Sequence, residues 1–388
     1  MSYAGALVVH DADSHLMETP EMLHDFADPA VRDRIDPQYF FHAIGRHRSL
    51  DEFPVYRRKH ADPDYRRRDE AELMTRKNWL ATGSFIKEDR SRALDMLGFK
   101  SQLVFNTFWN AFLVRMEHGD DVELTYGVAR AHNRAMLDFC AADRRLLASC
   151  YVPLMEFERA RAIAGEAIKA GAKALLAPSA CPKGHSPSHV RLDPVWRQAE
   201  EAGIPVVMHV GGGGRLLSPD YFENGLPPVK DFHGGDENFR SVDYMAIPGP
   251  PAQTLATLII DGVMERFPRL KFGVIEQGAT WLPGLMRQID SALEAFGRHE
   301  ERLRKLSLRP SEYLRRQVRV TPYPTEDVGW VIEQAGEEVC LFSSDYPHVE
   351  GGRNPIKRFE QNLVNVSERA RRRFYHDNFV DLMGRGLD

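Results

Sequence analysis

The chain is short of the features that mark several large protein classes. Its 388 residues include 4 cysteines, Cys140, Cys150, Cys181 and Cys340, none in Cys-x-x-Cys spacing. That argues against a thiolate zinc site and fits a reduced setting, so a cytoplasmic location is expected. No apolar stretch approaches the ~20 residues that span a bilayer. The opening Met1 to His10 lacks the basic segment of a secretory signal. A net charge of -5 offers no basic face for nucleic acid or anionic membrane, and neither is expected as a partner. Internal repeats, low-complexity tracts and an interdomain linker are also missing.

What is present is an alternation of short apolar runs and amphipathic helical segments. Hydrophobic types make up 43% of the residues, enough for one large α/β unit spanning 1–388. Strands are predicted at Leu7–Asp13, Gln102–Phe105, Leu147–Val152, Ala172–Ala177, Ile204–His209, Leu270–Ile275, Val318–Thr321 and Val339–Ser343. Helices are predicted between them, at Asp89–Leu97, Asp121–Cys140, Glu156–Ala170, Pro194–Ala202, Pro251–Arg266, Trp281–His299 and Thr325–Ala335. A final pair follows at Pro355–Val364 and Ser367–Tyr375. Gly171 and Gly203 follow periodic segments as C-cap glycines would, and Pro268 stops a helix before the sixth strand. Strand-then-helix units in series predict an α/β fold, a (β/α)8 TIM barrel. A doubly wound sheet would more often carry a Gly-rich phosphate turn after its first strand. Asp13-Ser14-His15 stands there instead.

Two insertions interrupt the alternation, 17–87 after the first strand and 210–249 after the fifth. Both leave the C-terminal rim, where barrel enzymes build pockets and lids. The second opens with Gly211-Gly212-Gly213-Gly214, backbone that can approach a ligand or hinge.

Chemistry-bearing residues gather at the same ends of distant strands. Asp11, Asp13 and His15 share one face of the first strand. His209 ends the fifth, and Asp345 lies just past the eighth. Barrel closure would bring Asp13, His15, His209 and Asp345 together as two imidazoles and two carboxylates, a set suited to one divalent metal. Any one of them alone reads as structural; the four together do not. Asp11, a layer deeper, reads as a buried hydrogen-bonding carboxylate. Zn2+ suits this set best, and Mn2+ also suits it. Asp345 can also exchange a proton with water activated by the ion.

The chain resembles the amidohydrolase-related family, in the subgroup of aminocarboxymuconate semialdehyde decarboxylase and the aromatic-acid decarboxylases. The resemblance spans the first through the eighth strand. It rests on Asp11-Ala12-Asp13-Ser14-His15, Leu192-Asp193-Pro194-Val195-Trp196, Val207-Met208-His209, Arg266-Phe267-Pro268-Arg269-Leu270-Lys271-Phe272 and Ser343-Ser344-Asp345-Tyr346-Pro347-His348. It implies Asp13 and His15 as the first metal pair, an acid-x-His variant of the usual His-x-His, with His209 and Asp345 completing the set. No lysine ends the fourth strand, where two-metal relatives place a carbamylated bridge, and that favours one metal. After the sixth strand the characterised decarboxylases carry a proton-handling histidine; this chain has Glu276. Glu276 reads as a general acid or base if desolvation raises its pKa, as a further ligand, or as a structural rim carboxylate.

Other residues near the predicted rim carry weaker signals. His348 contacts substrate or packs behind the ligands. Arg215 and His233 bind a substrate carboxylate or are solvated loop residues. Trp109, with Phe105 and Phe112, forms an apolar wall for a ring or is plain core. The arginines near 57 and 66 read as solvated or interprotomer surface. The expected function is non-oxidative decarboxylation of a small aromatic or unsaturated carboxylate. The alternatives are a metal-dependent hydrolase acting on an ester, lactone, amide or C–C bond, and a non-catalytic binding protein stabilised by its metal. The resemblance implies a homodimer.

Overall fold

The computed structural model of the chain describes residues 2–35, 53–214, 216–227 and 241–388. Arg215 and His233 lie outside the described residues, as do parts of both insertions. Seven parallel strands form one sheet in sequence order: β1 (Asp11–Leu16), β2 (Gln102–Asn106), β3 (Leu146–Tyr151), β4 (Ala174–Leu176), β5 (Val206–His209), β6 (Phe272–Ile275) and β7 (Val318–Val320). Every residue of every strand is buried. Strands covered on both faces need continuous apolar runs, and Leu103-Val104-Phe105 or Val206-Val207-Met208 supply them. Each such side chain contributes roughly 1.5–3 kcal/mol on burial.

The predicted eighth strand is not a strand. Residues 339–346 instead join the two sheet edges through single bridges, Val320 to Cys340 and Ser14 to Tyr346. On one side Leu341 donates to the Val320 carbonyl at 2.9 Å; on the other, Ala12 donates to Phe342 at 3.0 Å and His15 to Tyr346 at 2.7 Å. The ladder breaks because the Ser344 amide turns to the Asp11 carboxylate, at 2.7 Å, and Asp345 adopts φ 53°. Asp11 also accepts from the Ser344 hydroxyl at 2.6 Å and the Gln102 amide at 2.8 Å. It is the buried hydrogen-bonding carboxylate that its depth in the strand suggested, and burial pushes it up to about 7.

β1 starts later than predicted. The Leu7 amide closes an N-terminal turn on Ala4, at 3.1 Å, and Asp11 is the first residue in register with β2, opposite Gln102. The strand therefore runs on through His15 and Leu16, which pair with Phe105 and Asn106. The other boundaries move by a residue or two, as ladder ends do.

Helices follow the strands as expected, with several differences. Trp109–Glu117 is a helix that the sequence did not announce. The predicted Pro251–Arg266 helix splits into Gly249–Ile260 and Val263–Arg266 at Gly262, whose φ is 76°. Pro310–Gln317 adds a helix before β7. Asp121 caps Val122–Cys140 by accepting the Leu124 amide at 3.1 Å. Gly203 ends Asp193–Ala202 in the left-handed region. In the first insertion, Arg66 is not merely solvated; it forms a two-pronged pair with Asp89 at 2.6 and 2.9 Å.

Candidate metal centre

Each side chain of the predicted set is held by a local device. His15, on β1, directs Nδ1 at the Asn106 carbonyl, 2.9 Å away. His209 ends β5 and directs Nδ1 at the Val210 carbonyl, at 3.0 Å. His348 places Nε2 2.9 Å from the Thr107 hydroxyl, which gives its own proton to the Leu16 carbonyl at 2.9 Å. A carbonyl oxygen, or a hydroxyl already committed as donor, can only accept. These partners therefore fix the proton of each ring on its outer nitrogen.

Two carboxylates come from strained backbone. Asp345 (φ 53°) and Glu276 (φ 54°) are two of the three non-glycine residues with positive φ among the described residues. The Asp345 amide donates to the Asp13 carbonyl at 2.9 Å. The Glu276 amide donates to the Thr321 hydroxyl at 2.7 Å, and its carbonyl accepts from Tyr323 at 2.8 Å. Strain of this kind costs of order 1–3 kcal/mol and persists where the surroundings over-determine the conformation.

The inner nitrogens face carboxylate oxygens. His15 Nε2 lies 3.1 Å from Asp13 Oδ1 and 3.4 Å from Asp345 Oδ1. His209 Nε2 lies 3.2 Å from Asp13 Oδ1 and 3.3 Å from Glu276 Oε2, and His348 Nδ1 lies 3.0 Å from Asp345 Oδ1. Burial lowers His15 and His348 to about 4, so both rings are neutral at pH 7. The ring centroids of His15 and His348 are 3.8 Å apart, and those of His15 and His209 are 4.9 Å apart, too close for several imidazolium charges. On the neutral rings of His15 and His348 a lone pair thus faces a carboxylate oxygen with no ring proton between them.

Asp13 Oδ2, His15 Nε2 and both Asp345 oxygens are buried without a hydrogen-bond partner. A divalent cation would satisfy such atoms, and the nitrogen and oxygen donors fit one: they form two overlapping groups each inside 4.8 Å, Asp13, His15, His209 and Glu276, and His15, Glu276, Asp345 and His348. Burial, and after it the Asp13 charge, pushes Asp345 up to about 7, so a proton competes with a cation for that carboxylate.

The structure brings together Asp13, His15, His209, Glu276, Asp345 and His348. Trp109 is 2% exposed and packs edge-on against Phe112 at 5.1 Å, at the start of its helix. Three residues the sequence did not single out orient the histidines: Asn106, Thr107 and Asn110. Asn106 acts through its backbone carbonyl, yet with Thr107 it marks the polar end of an apolar strand, which was the available signal. Glu18 fixes their loop by accepting the Thr107 amide at 2.7 Å and the Trp109 amide at 3.2 Å.

No helix among the described residues is long and apolar enough to cross a membrane. No curated protein sequence matches the chain. Among solved structures, an amidohydrolase from Mycobacterium avium subsp. paratuberculosis is similar over 98% of this chain and 100% of its own, with TM-score 0.73 and 22% identity. A 5-carboxyvanillate decarboxylase from Sphingomonas paucimobilis covers 97% of this chain and 99% of its own, with TM-score 0.60 and 18% identity. A dihydroxybenzoic acid decarboxylase from Polaromonas, with bound manganese and 2-nitroresorcinol, covers 97% and 96%, with TM-score 0.61 and 15% identity. These likenesses concern the fold. The amidohydrolase family model matches residues 11–382, nearly the whole sequence, and the chain belongs to the amidohydrolase family.

Proposed function

We propose that the chain is a mononuclear metal-dependent carboxy-lyase acting on a small aromatic or unsaturated carboxylate. Asp13, His15, His209 and Asp345 would hold the ion, Zn2+ or the Mn2+ found in the Polaromonas relative. The observation that carries the reading is the set of imidazole nitrogens turned against carboxylate oxygens at 3.0–3.4 Å. When bound, the ion would polarise a substrate oxygen and stabilise the charge that builds up on it.

The chain's own residues supply the rest. Asp345, pushed up to about 7, can hold a proton near neutrality. Glu276 lies 3.3 Å from the same His209 nitrogen that faces Asp13 and is the second proton carrier. One of them delivers a proton to the ring carbon bearing the carboxylate. The bond to the carboxyl carbon then breaks, its electron pair returns to the ring π system that the proton drew on, and CO2 departs. Solvent returns the proton to the donor. The solved decarboxylases of this fold, including the 5-carboxyvanillate enzyme, support this reaction class. The reading treats 1–388 as one barrel domain of seven strands closed by the segment 339–346, with 17–87 and 210–249 as its insertions, and the protein as a homodimer.

A second reading is hydrolysis of an ester, lactone, amide or C–C bond. Glu276, in place of the decarboxylases' histidine, favours it: Asp345 would take the proton of the attacking water and Glu276 would pass one to the leaving group. The test is a metal-loaded sample assayed on benzoate-like acids and aryl esters, with CO2 and acid release followed separately. CO2 without ester cleavage is expected; acid release without CO2 would establish the hydrolase.

A further inference from the structure

The third non-glycine residue with positive φ among the described residues is Asn78, at 54°, in the first insertion. Its amide donates to the Pro347 carbonyl at 2.9 Å, two residues past Asp345. The next residue, Trp79, donates its indole N–H to the Glu18 carbonyl at 2.9 Å and stacks on Phe108 at 5.4 Å. Residues 78 and 79 are therefore pinned to the segments that follow β1, β2 and Asp345. Lys77 immediately precedes them and is carried to the same rim. Among the described residues its ammonium makes one hydrogen bond, to the Gly352 carbonyl at 2.6 Å. An ammonium has three protons to donate.

The charges around Lys77 point the same way. Asp345 is its strongest electrostatic attractor, ahead of Glu350, and Arg353 opposes them. Conversely, Lys77 draws on Asp345 and repels a proton from His348. Burial lowers the ammonium to about 8, which leaves it charged at pH 7. The carboxylates of Asp13, Glu276 and Asp345 offset the charge of an ion bound among them, so a further cation at the entrance adds attraction for an anionic substrate.

We infer that Lys77 receives the substrate's carboxylate, and that the left-handed turn at Asn78 positions it over the metal centre. The inference makes Lys77 a specificity-determining residue and deepens the proposed function, since it rests on an acid as substrate. An ammonium suits the task as a compact point charge on a flexible stem.

The test is ligand binding, not turnover, and so does not depend on the reaction. Benzoate and its neutral isostere benzamide are titrated calorimetrically into the metal-loaded protein and into Lys77→Gln and Lys77→Arg. Glutamine keeps a donor for Gly352 and removes the charge; arginine keeps the charge. The native protein should bind benzoate at least tenfold more tightly than benzamide. Lys77→Gln should cut that preference severalfold with metal content unchanged, and Lys77→Arg should retain most of it. An undiminished preference in Lys77→Gln overturns the inference. So does loss of metal in Lys77→Gln that Lys77→Arg restores, since the charge would then be structural. A charge preference that depends on Lys77 in a protein that releases no CO2 would sink the decarboxylase reading and leave this one standing.

Discussion

His209 and Asn110 share one acceptor: the imidazole Nδ1 and the carboxamide Nδ2 both donate to the Val210 carbonyl, at 3.0 and 2.7 Å. The same carboxamide reaches the His209 carbonyl at 3.3 Å. The helix that begins at Trp109 thereby fixes the strand end that presents His209 to the centre. Outer partners of this kind set ring orientation and basicity, and losing one costs 10–100-fold in metal affinity or activity. Asn110→Leu, similar in volume, should weaken divalent metal binding by about tenfold in a chelator competition while the far-ultraviolet circular dichroism stays native.

Thr107 plays the corresponding part for His348. Its hydroxyl accepts from Nε2 because its own proton is committed to Leu16. Thr107→Val keeps the shape and removes the acceptor, so the ring can move its proton to the nitrogen facing Asp345. Turnover should fall about tenfold or more, and Thr107→Ser should restore it. Equal loss in both variants would point to packing instead.

Metal uptake should depend on pH. The Asp345 carboxyl sits at about 7, raised by burial and then by Asp13. Its folded value lies above the ordinary 3.8, so below pH 7 it keeps a proton that a cation must displace. The apparent affinity should be flat above pH 7 and fall about tenfold per unit below it, as displacement of one proton requires. Chelator competition between pH 5.5 and 8 measures the slope; a flat profile contradicts the assignment.

A second titration lies far from the centre. His132 is fully buried, and burial lowers it from 6.5 to about 4. Its Nδ1 meets Asn133 Oδ1 at 3.0 Å, and that oxygen also accepts the Tyr151 amide at 2.6 Å. A depressed histidine contributes stability that is complete above pH 6.5 and lost as pH falls toward 4, roughly 3 kcal/mol in all. His132→Leu leaves Asn133 satisfied and should flatten the acid limb of stability against pH by one proton in urea titrations.

The centre was legible because its ligands are chemistry-bearing residues placed at the ends of apolar runs, and a period of two put Asp13 and His15 on one face. Glu276 stood out on the same ground after β6. Asn106 and Thr107 carried that mark weakly and Asn110 not at all, because their roles arise only when β1, β2 and β5 come together. The helix Trp109–Glu117 was missed because Trp109, Phe112, Leu113 and Val114 are all buried and leave no polar stripe to set a period. The eighth segment reads as a strand but does not pair as one, because the apolar run Val339–Phe342 shows burial but not the diversion of the Ser344 amide and hydroxyl to Asp11. Lys77 lay in a polar insertion whose approach to the rim depends on one left-handed residue.

The claim on which the account rests is that the rings of His15 and His209 hold a divalent ion together with Asp13 and Asp345. The direct measurement is metal content, by mass spectrometry after dialysis against trace metal, of the native protein and the His15→Ala/His209→Ala double variant, with folding checked by circular dichroism. The account predicts one equivalent of zinc or manganese per native chain and none in a folded double variant. A native chain that binds no metal, or a double variant that retains a full equivalent, would contradict it.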